Sequence, residues 1–417
     1  MSKIKKIVAR EILDSRGQPT VEAILELEDG AIGIYSVPSG ASVGKHEAIE
    51  LRDGDKTRFG GKGVLKALGN IATILAPQII GMDAKNQAQV DEAMITLDGT
   101  DDKSKLGANS ILALSGAVAR AQSMSQKVPL YQYIAQIAGI STREFSIPTP
   151  MFNILNGGLH GGFNLDFQEF LIVPPKANTF SQNLKFGAEV YFALKEVLKS
   201  QNYATLIGDE GGYAPMLYSN MEVFKIFEEA VTIAGYKTGL DAFFSLDVAA
   251  SNLKEGNTYR IKDKPVPQTG SDLIEFYISA NERYHLLSLE DPFSDDDWGD
   301  WSDLLGKLGT ETLIVGDDLT STNTKLLDKA IEGHALNAVI VKPNQIGTIS
   351  ETLAFVKKAK EAKFKVIVSH RSGETNDDFI VDFAVGVGAD YTKFGAPARG
   401  ERVAKYNRLL EIEHELS

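Results

Sequence analysis

Six short apolar runs in the second half of the chain each end on a polar or charged side chain. FFSLD ends at Asp247, YHLLSLED carries Glu290, and TLIVGDD reaches Asp317. NAVIVK then ends at Lys342, FKVIVSHR supplies His370 and Arg371 with Ser372 next, and DYTK ends at Lys393. Three carboxylates from successive runs suit a hard divalent cation such as Mg²⁺, which takes oxygen ligands and leaves positions for water and substrate. Brought together without a cation they would repel, and their pKa values would rise. The cations on the next three runs suit an anionic substrate, and Arg371 with Ser372 suits a phosphate. A single Asp or Glu after a strand is more often a helix cap or turn residue. Six strand ends in succession are harder to explain as caps.

Glu169 in FQEFLIVP and Glu210 in TLIGDEGGYAP stand in apolar or Gly-rich settings. Each reads equally well as a structural hydrogen-bonding carboxylate or as a partly desolvated general acid that keeps its proton near neutrality. His160 in NGGLHGGF reads by default as an ordinary loop histidine. The segment SVPSGASVGKHEA fails as a phosphate-binding P-loop, because Gly40 and Gly44 enclose three residues and His46 follows Lys45. A mobile Gly/Ser loop closing over a site fits it better.

The elements that must position these residues follow from spacing. The six tips are separated by 43, 27, 25, 28 and 23 residues, and about 25 to 30 residues is one strand, one helix and two short loops. Consecutive units of this kind favour a β/α barrel, whose active site lies at the C-terminal ends of the strands. The longer first interval holds a polar segment at 253–269 with Pro265 and Pro267, which predicts an extra loop. The first 40 residues instead alternate apolar and polar around turns at 15–17 and 29–30, the pattern of antiparallel strands. Helical periodicity follows at 64–79 and 107–124. The expected fold is therefore α/β: an N-terminal α+β domain at 1–139 and a C-terminal barrel at 140–417.

Composition narrows the function classes. The 417 residues are 43% hydrophobic and 24% charged, which excludes a disordered chain, and 38 Gly and 14 Pro without a period exclude a collagen-like one. The net charge of −13 argues against general nucleic-acid or anionic-membrane binding. No run approaches the roughly 20 apolar residues of a membrane span, and the N-terminus lacks the apolar core of a signal peptide. With no cysteine, disulfides and thiolate chemistry are excluded, which fits a cytoplasmic protein.

In order along the chain, these motifs resemble those of the enolase family. They run from AREILDSRGQPTVE and VPSGASVGKHEAIELRDGD through LDGTDDKSKLGANSIL, NILNGGLHGGFNLDFQEF and GDEGGYAP. They continue through LDVAAS, SLEDPFSDDDW, VGDDL, KPNQIGT and SHRSGETNDDFI to KFGAPARGERVAKYNRLLEIE, so the resemblance covers nearly the whole chain. It implies a barrel whose first strands depart from simple βα alternation, and dehydration of 2-phosphoglycerate to phosphoenolpyruvate through an intermediate with two negative charges on one carboxyl group. Asp247, Glu290 and Asp317 would bind Mg²⁺, with Ser42 reaching a second Mg²⁺ that arrives with substrate. Lys342 would be the base and Glu210 the proton donor, helped by Glu169 and Gln168. Arg371 and Ser372 would hold the phosphate, Lys393 the substrate carboxylate, and His370 and His160 would complete the pocket. Neighbouring positive charge from Lys393, Arg371 and the metals is expected to lower the pKa of Lys342.

Val43, Gly161 and Phe394 depart from the usual residues of the family, Thr, Ala and Thr respectively, and none removes a functional group. The resemblance further implies a homodimer or a ring of dimers, a cytoplasmic location with a secondary surface or secreted one, and room for secondary protein partners. Two other readings compete. One is a related metal-dependent enzyme acting on another carboxylate acid, against which SHRSGET and the SGAS loop argue. The other is a binding protein that has lost activity, against which the full set of catalytic groups argues.

Overall fold

The computed structural model describes residues 2–41, 44–141 and 144–417. Three antiparallel strands form first: β1 (Ile4–Leu13), β2 (Pro19–Leu27) and β3 (Ile32–Ser36), with β2 in the centre. Val21, Ala23, Leu25 and Leu27 alternate along β2 and are all buried, as a half-buried strand requires. The helix Ala108–Gln126, small and apolar on nearly every face, packs on this side. The approach is close because Gly33, paired with Leu25, has no side chain. A Cβ there would collide with the Ala117 carbonyl oxygen and the Ala121 amide nitrogen. Gly33→Ala is therefore expected to destabilise the protein by about 1–3 kcal/mol, the usual range for overpacking, read as a lower denaturant midpoint. The helix predicted at 64–79 passes through a π turn at Ile71–Leu75, just before Pro77, which has no N–H for the regular ladder.

Eight further strands close a barrel. β4 (Thr149–Asn156) leads through a loop to β5 (Glu169–Val173), and two helices, Phe180–Ser200 and Glu222–Ile233, precede β6 (Phe243–Asp247). A two-stranded ribbon, β7 (Lys254–Glu255) and β8 (Thr258–Tyr259), lies in the segment predicted as the extra loop. Regular strand–helix units then carry β9 (Leu286–Glu290), β10 (Leu313–Gly316), β11 (Ala338–Val341), β12 (Lys365–Ser369) and β13 (Tyr391–Lys393). The closed order is β10-β11-β12-β13-β4-β5-β6-β9. β5 runs antiparallel to both neighbours and every other pair is parallel. This is the irregular beginning that the family resemblance implies. Met151, Leu171, Val173, Val315, Ala338, Ile340 and Ile367 form a separate apolar cluster from five strands that fills the barrel.

The reversed strand matters for the site. Asp247 and Glu290 are the last residues of β6 and β9 and lie side by side in register. Glu169 is the first residue of β5, and because β5 is antiparallel it too reaches this end, beside Asp247. Among the described residues no helix is long and apolar enough to cross a membrane.

Candidate active site

One cavity at the C-terminal end of the barrel is lined by nearly all the side chains singled out from the sequence: His160, Gln168, Glu169, Glu210, Asp247, Asp317, Lys342, His370, Arg371, Ser372 and Lys393. Glu290 lies against the same group through Lys393. Ser42 and Val43 fall outside the described residues.

The centre is a buried lattice of carboxylates and lysines. Lys393 Nζ lies 2.8 Å from Glu290 Oε2, 3.0 Å from Glu169 Oε2 and 3.1 Å from Asp247 Oδ2. Burial opposes its charge, but these three carboxylates hold its pKa well above the ordinary lysine value. Lys342 Nζ pairs with Asp317 Oδ2, whose other oxygen accepts from Gln345 Nε2 at 2.8 Å. Among the protein's own groups the balance on Lys342 runs the other way. Burial, Arg371 and Lys393 push it down, yet the adjoining Asp317 carboxylate outweighs them and raises it. Burial also acts on Asp317, and Lys342 overcomes it to keep that carboxyl below its usual range. Glu290 is driven well above its range by burial and by Asp247, and Asp318 up to about 7 by burial and Asp317.

A second group brings titratable side chains together. His160 Nδ1 stands 3.4 Å from Glu169 Oε1 and 3.5 Å from Glu210 Oε1. Glu169 is pushed up to about 6 by burial and by the charge of Glu210. Burial also raises Glu210, but His160, His370 and Arg402 hold it well below the ordinary value. Of the two carboxyls, Glu169 therefore holds a proton more readily than Glu210, the expected donor. His160 is raised by the same carboxylates against its burial and bridges the two. Gln168 reaches Asp247 Oδ2 at 3.4 Å, and its buried Oε1 has no hydrogen-bond partner among the described residues.

The Arg371 side of the cavity is held by the N-terminal segment. The Arg371 guanidinium donates to Glu47 Oε2 at 2.7 Å and to Asn344 Oδ1 at 3.2 Å. Glu47 also accepts from the Gly44 amide at 3.0 Å, so one carboxylate ties the Gly/Ser loop to Arg371. Ser372 Oγ accepts from the Ala41 amide at 2.7 Å. Lys45, in the failed P-loop segment, pairs with Asp295 and Asp296 across the barrel mouth.

Sequence reasoning missed Asn153, Glu47, Gln345 and Arg402. Asn153 Nδ2 donates to Glu210 Oε2 at 2.9 Å from inside β4, where nothing in the pattern marks it. The other three lie inside motifs already quoted, GKHEA, KPNQIGT and PARGER, and were passed over beside better-marked neighbours. Of the departures from the family pattern, Phe394 is buried and packs edge-on to Tyr406, away from the lining. Gly161 has no room for alanine in this conformation, since a Cβ would lie 2.5 Å from the Asn156 carbonyl oxygen.

The donor set fits a hard divalent cation. All the acidic donors at the centre are carboxylate oxygens, and the two lysines leave Glu290, Asp291 and Asp318 strained towards protonation, so added positive charge would be welcome there. Carboxylate oxygens of Asp291, Asp317 and Asp318 lie within 4.8 Å of one another, as do ligand atoms of His160, Glu169 and Glu210. Among the described residues Asp247, Glu290 and Asp317 do not form one such group together; Lys393 contacts the first two and Lys342 the third.

Comparison with known proteins agrees with this arrangement. Residues 4–134 match the model of the enolase N-terminal domain, and residues 144–417 that of the enolase C-terminal TIM barrel domain. The curated protein "Enolase" of Anaplasma phagocytophilum (strain HZ) is 48% identical over 416 residues, covering 100% of this chain and 95% of that protein. With a barrel of this topology, a carboxylate–lysine cavity at its mouth and a match along the whole chain, the protein belongs to the enolase family of lyases.

Proposed function

We propose that the chain catalyses the reversible, Mg²⁺-dependent dehydration of 2-phosphoglycerate to phosphoenolpyruvate and water. The observation that carries this reading is the pairing, in one cavity, of a part-buried lysine, Lys342, beside Arg371 with a separate group of Glu169, His160 and Glu210. Asp247, Glu290 and Asp317 would hold one Mg²⁺, and Ser42 would reach a second that arrives with substrate. Bound there, the ions supply electrostatic stabilisation of the charge that develops on the substrate carboxylate. A Lys or His base working beside one or two Mg²⁺ ions is the established pattern of enolase-superfamily sites.

The chain's own groups divide the work. Arg371 and Ser372 hold the phosphate, and Lys393 and Gln168 face the substrate carboxylate. Lys342 Nζ accepts the C2 proton once Asp317 no longer pins it as an ammonium. On the other side the leaving hydroxide takes a proton from Glu210, resupplied through His160 from Glu169, with His370 and Asn153 keeping the Glu210 carboxyl in place. The test is ultraviolet absorbance of the conjugated product. Turnover of 2-phosphoglycerate is expected with Mg²⁺ and is expected to fall to background with excess chelator. A folded, Mg²⁺-loaded sample without turnover would favour a different acid substrate.

The same reading includes a division near residue 139 into a capping domain and a catalytic barrel, a cytoplasmic location, and a homodimer or ring of dimers. Val8 and Ile34 flank Ile24 on one face of the N-terminal sheet and are 45% and 40% exposed, a face that suits a second copy. Light scattering of the purified chain checks the assembly.

A further inference from the structure

We infer that Arg402 is a positioning residue for proton delivery: its guanidinium fixes the tautomer of His370, so that His370 Nε2–H holds Glu210 for transfer. The inference rests on the reading of Glu210 as the group that protonates the leaving hydroxide.

Arg402 lies in the first turn of the last helix, Gly400–Leu416, and is fully buried. One of its terminal nitrogens donates to His370 Nδ1 at 2.7 Å and to the Arg371 carbonyl at 2.7 Å. The other donates to the Ser372 carbonyl at 2.6 Å and the Asp209 carbonyl at 3.2 Å. A guanidinium has only donors. His370 Nδ1 must therefore accept, and the single ring proton must sit on Nε2. That nitrogen is 3.1 Å from Glu210 Oε2, so it donates there. The chain of contacts Arg402, His370, Glu210 has one possible direction.

The surroundings are shaped for this contact. Gly395, at φ +85°, lies where a Cβ would meet Arg402 Cδ and His370 Cε1 at 3.0 Å each and the Glu210 carbonyl at 2.8 Å. All three elements converge on the one residue without a side chain. The charged groups facing the imidazole are Glu210, Arg402 and Glu374, and those facing Glu210 include His160 as well as Arg402. Burial and Arg402 bring His370 down to about 4, so it stays neutral through the working range.

Neutrality is the functional point. Against burial, His160, His370 and Arg402 already hold Glu210 below its ordinary value; an imidazolium at this position would add a full ion pair and lower its proton affinity further, against the delivery it must make. Arg402 opposes this because the ring cannot take a second proton, at Nδ1, without giving up the guanidinium bond. Loss of Arg402 should therefore impair the protonation of the leaving group and leave C2 proton abstraction by Lys342 running.

The test uses the full chain labelled with ¹⁵N-histidine, which carries six histidines, and variants Arg402→Lys and Arg402→Met. Long-range ¹H–¹⁵N correlation should show His370 as the neutral Nε2–H tautomer down to about pH 5 in the natural protein, as its depressed pKa requires. In the variants its titration midpoint should rise above about 6, towards the ordinary histidine value. Phosphoenolpyruvate formation near pH 6 should fall by about tenfold or more, while exchange of the C2 proton in D₂O changes less than about twofold. An Nδ1–H or doubly protonated His370 at neutral pH in the natural protein overturns the inference, and decides it even if neither variant folds. An unchanged His370 titration in a folded variant overturns it too, whatever happens to turnover. If instead Glu210→Gln keeps full dehydration activity, the proton-donor reading fails, and the tautomer measurement still stands as the separate test of the Arg402 contact.

Discussion

Replacing Lys342 by alanine should lower the rate of phosphoenolpyruvate formation by about 10³-fold, within the roughly 10²–10⁴ range of a positioned acid–base group. Exchange of the C2 proton with solvent should fall with it, since the substitution removes the group that accepts that proton. Lys342 is part-buried with its ammonium on Asp317, and Gln345 holds the remaining Asp317 oxygen. Removing the ammonium also removes the cation that competes for that carboxylate. Mg²⁺ affinity measured calorimetrically should therefore hold or tighten while turnover collapses. A variant that retains more than about a tenth of the rate, or still exchanges the C2 proton at the natural rate, would show that Lys342 is not the base.

The second large effect is on Lys393→Met. The change keeps the volume and deletes the one ammonium that meets Glu169, Asp247 and Glu290 together. Leaving a buried charge unpaired costs about 3–5 kcal/mol, so the variant should lose that much unfolding free energy in chelator at mildly alkaline pH. The raised pKa of Lys393 fixes the pH window. Its folded value lies above that of an unfolded lysine, so its contribution is complete below the ordinary lysine value and fades as pH rises through the folded one. Because the deleted charge faces carboxylates, Mg²⁺ should restore part of the stability, and turnover should remain depressed through loss of the substrate-carboxylate contact. Equal stability of variant and natural protein in chelator would contradict the account.

Much of this was legible before the fold was known, for a definite reason. Parallel barrel strands bring their C-terminal tips to one end, so the convergence of Asp247, Glu290, Asp317, Lys342, His370 and Lys393, each the last residue of its strand or the one after it, could be read from their spacing. Glu169 could not, because it begins its strand, and only the antiparallel course of β5 brings it to the same end. The contact of Lys342 with Asp317, which raises the lysine against burial, Arg371 and Lys393, was likewise invisible, because it joins residues 25 apart at the ends of neighbouring strands. Partners distant in the chain were similarly hidden. Glu47 reaches Arg371 from the N-terminal loop, and Arg402 reaches His370 from the last helix. Neither pairing has a periodicity that a sequence displays.

The division of labour between the two sides of the cavity is tested most directly by Glu210→Gln in D₂O, following C2 exchange by NMR and phosphoenolpyruvate by absorbance in the same sample. The expected result is exchange near the natural rate, driven by an intact Lys342, with dehydration reduced by about 10²-fold or more. Loss of both signals together, or dehydration that survives the substitution, would contradict the assignment of the two protons to two separate groups.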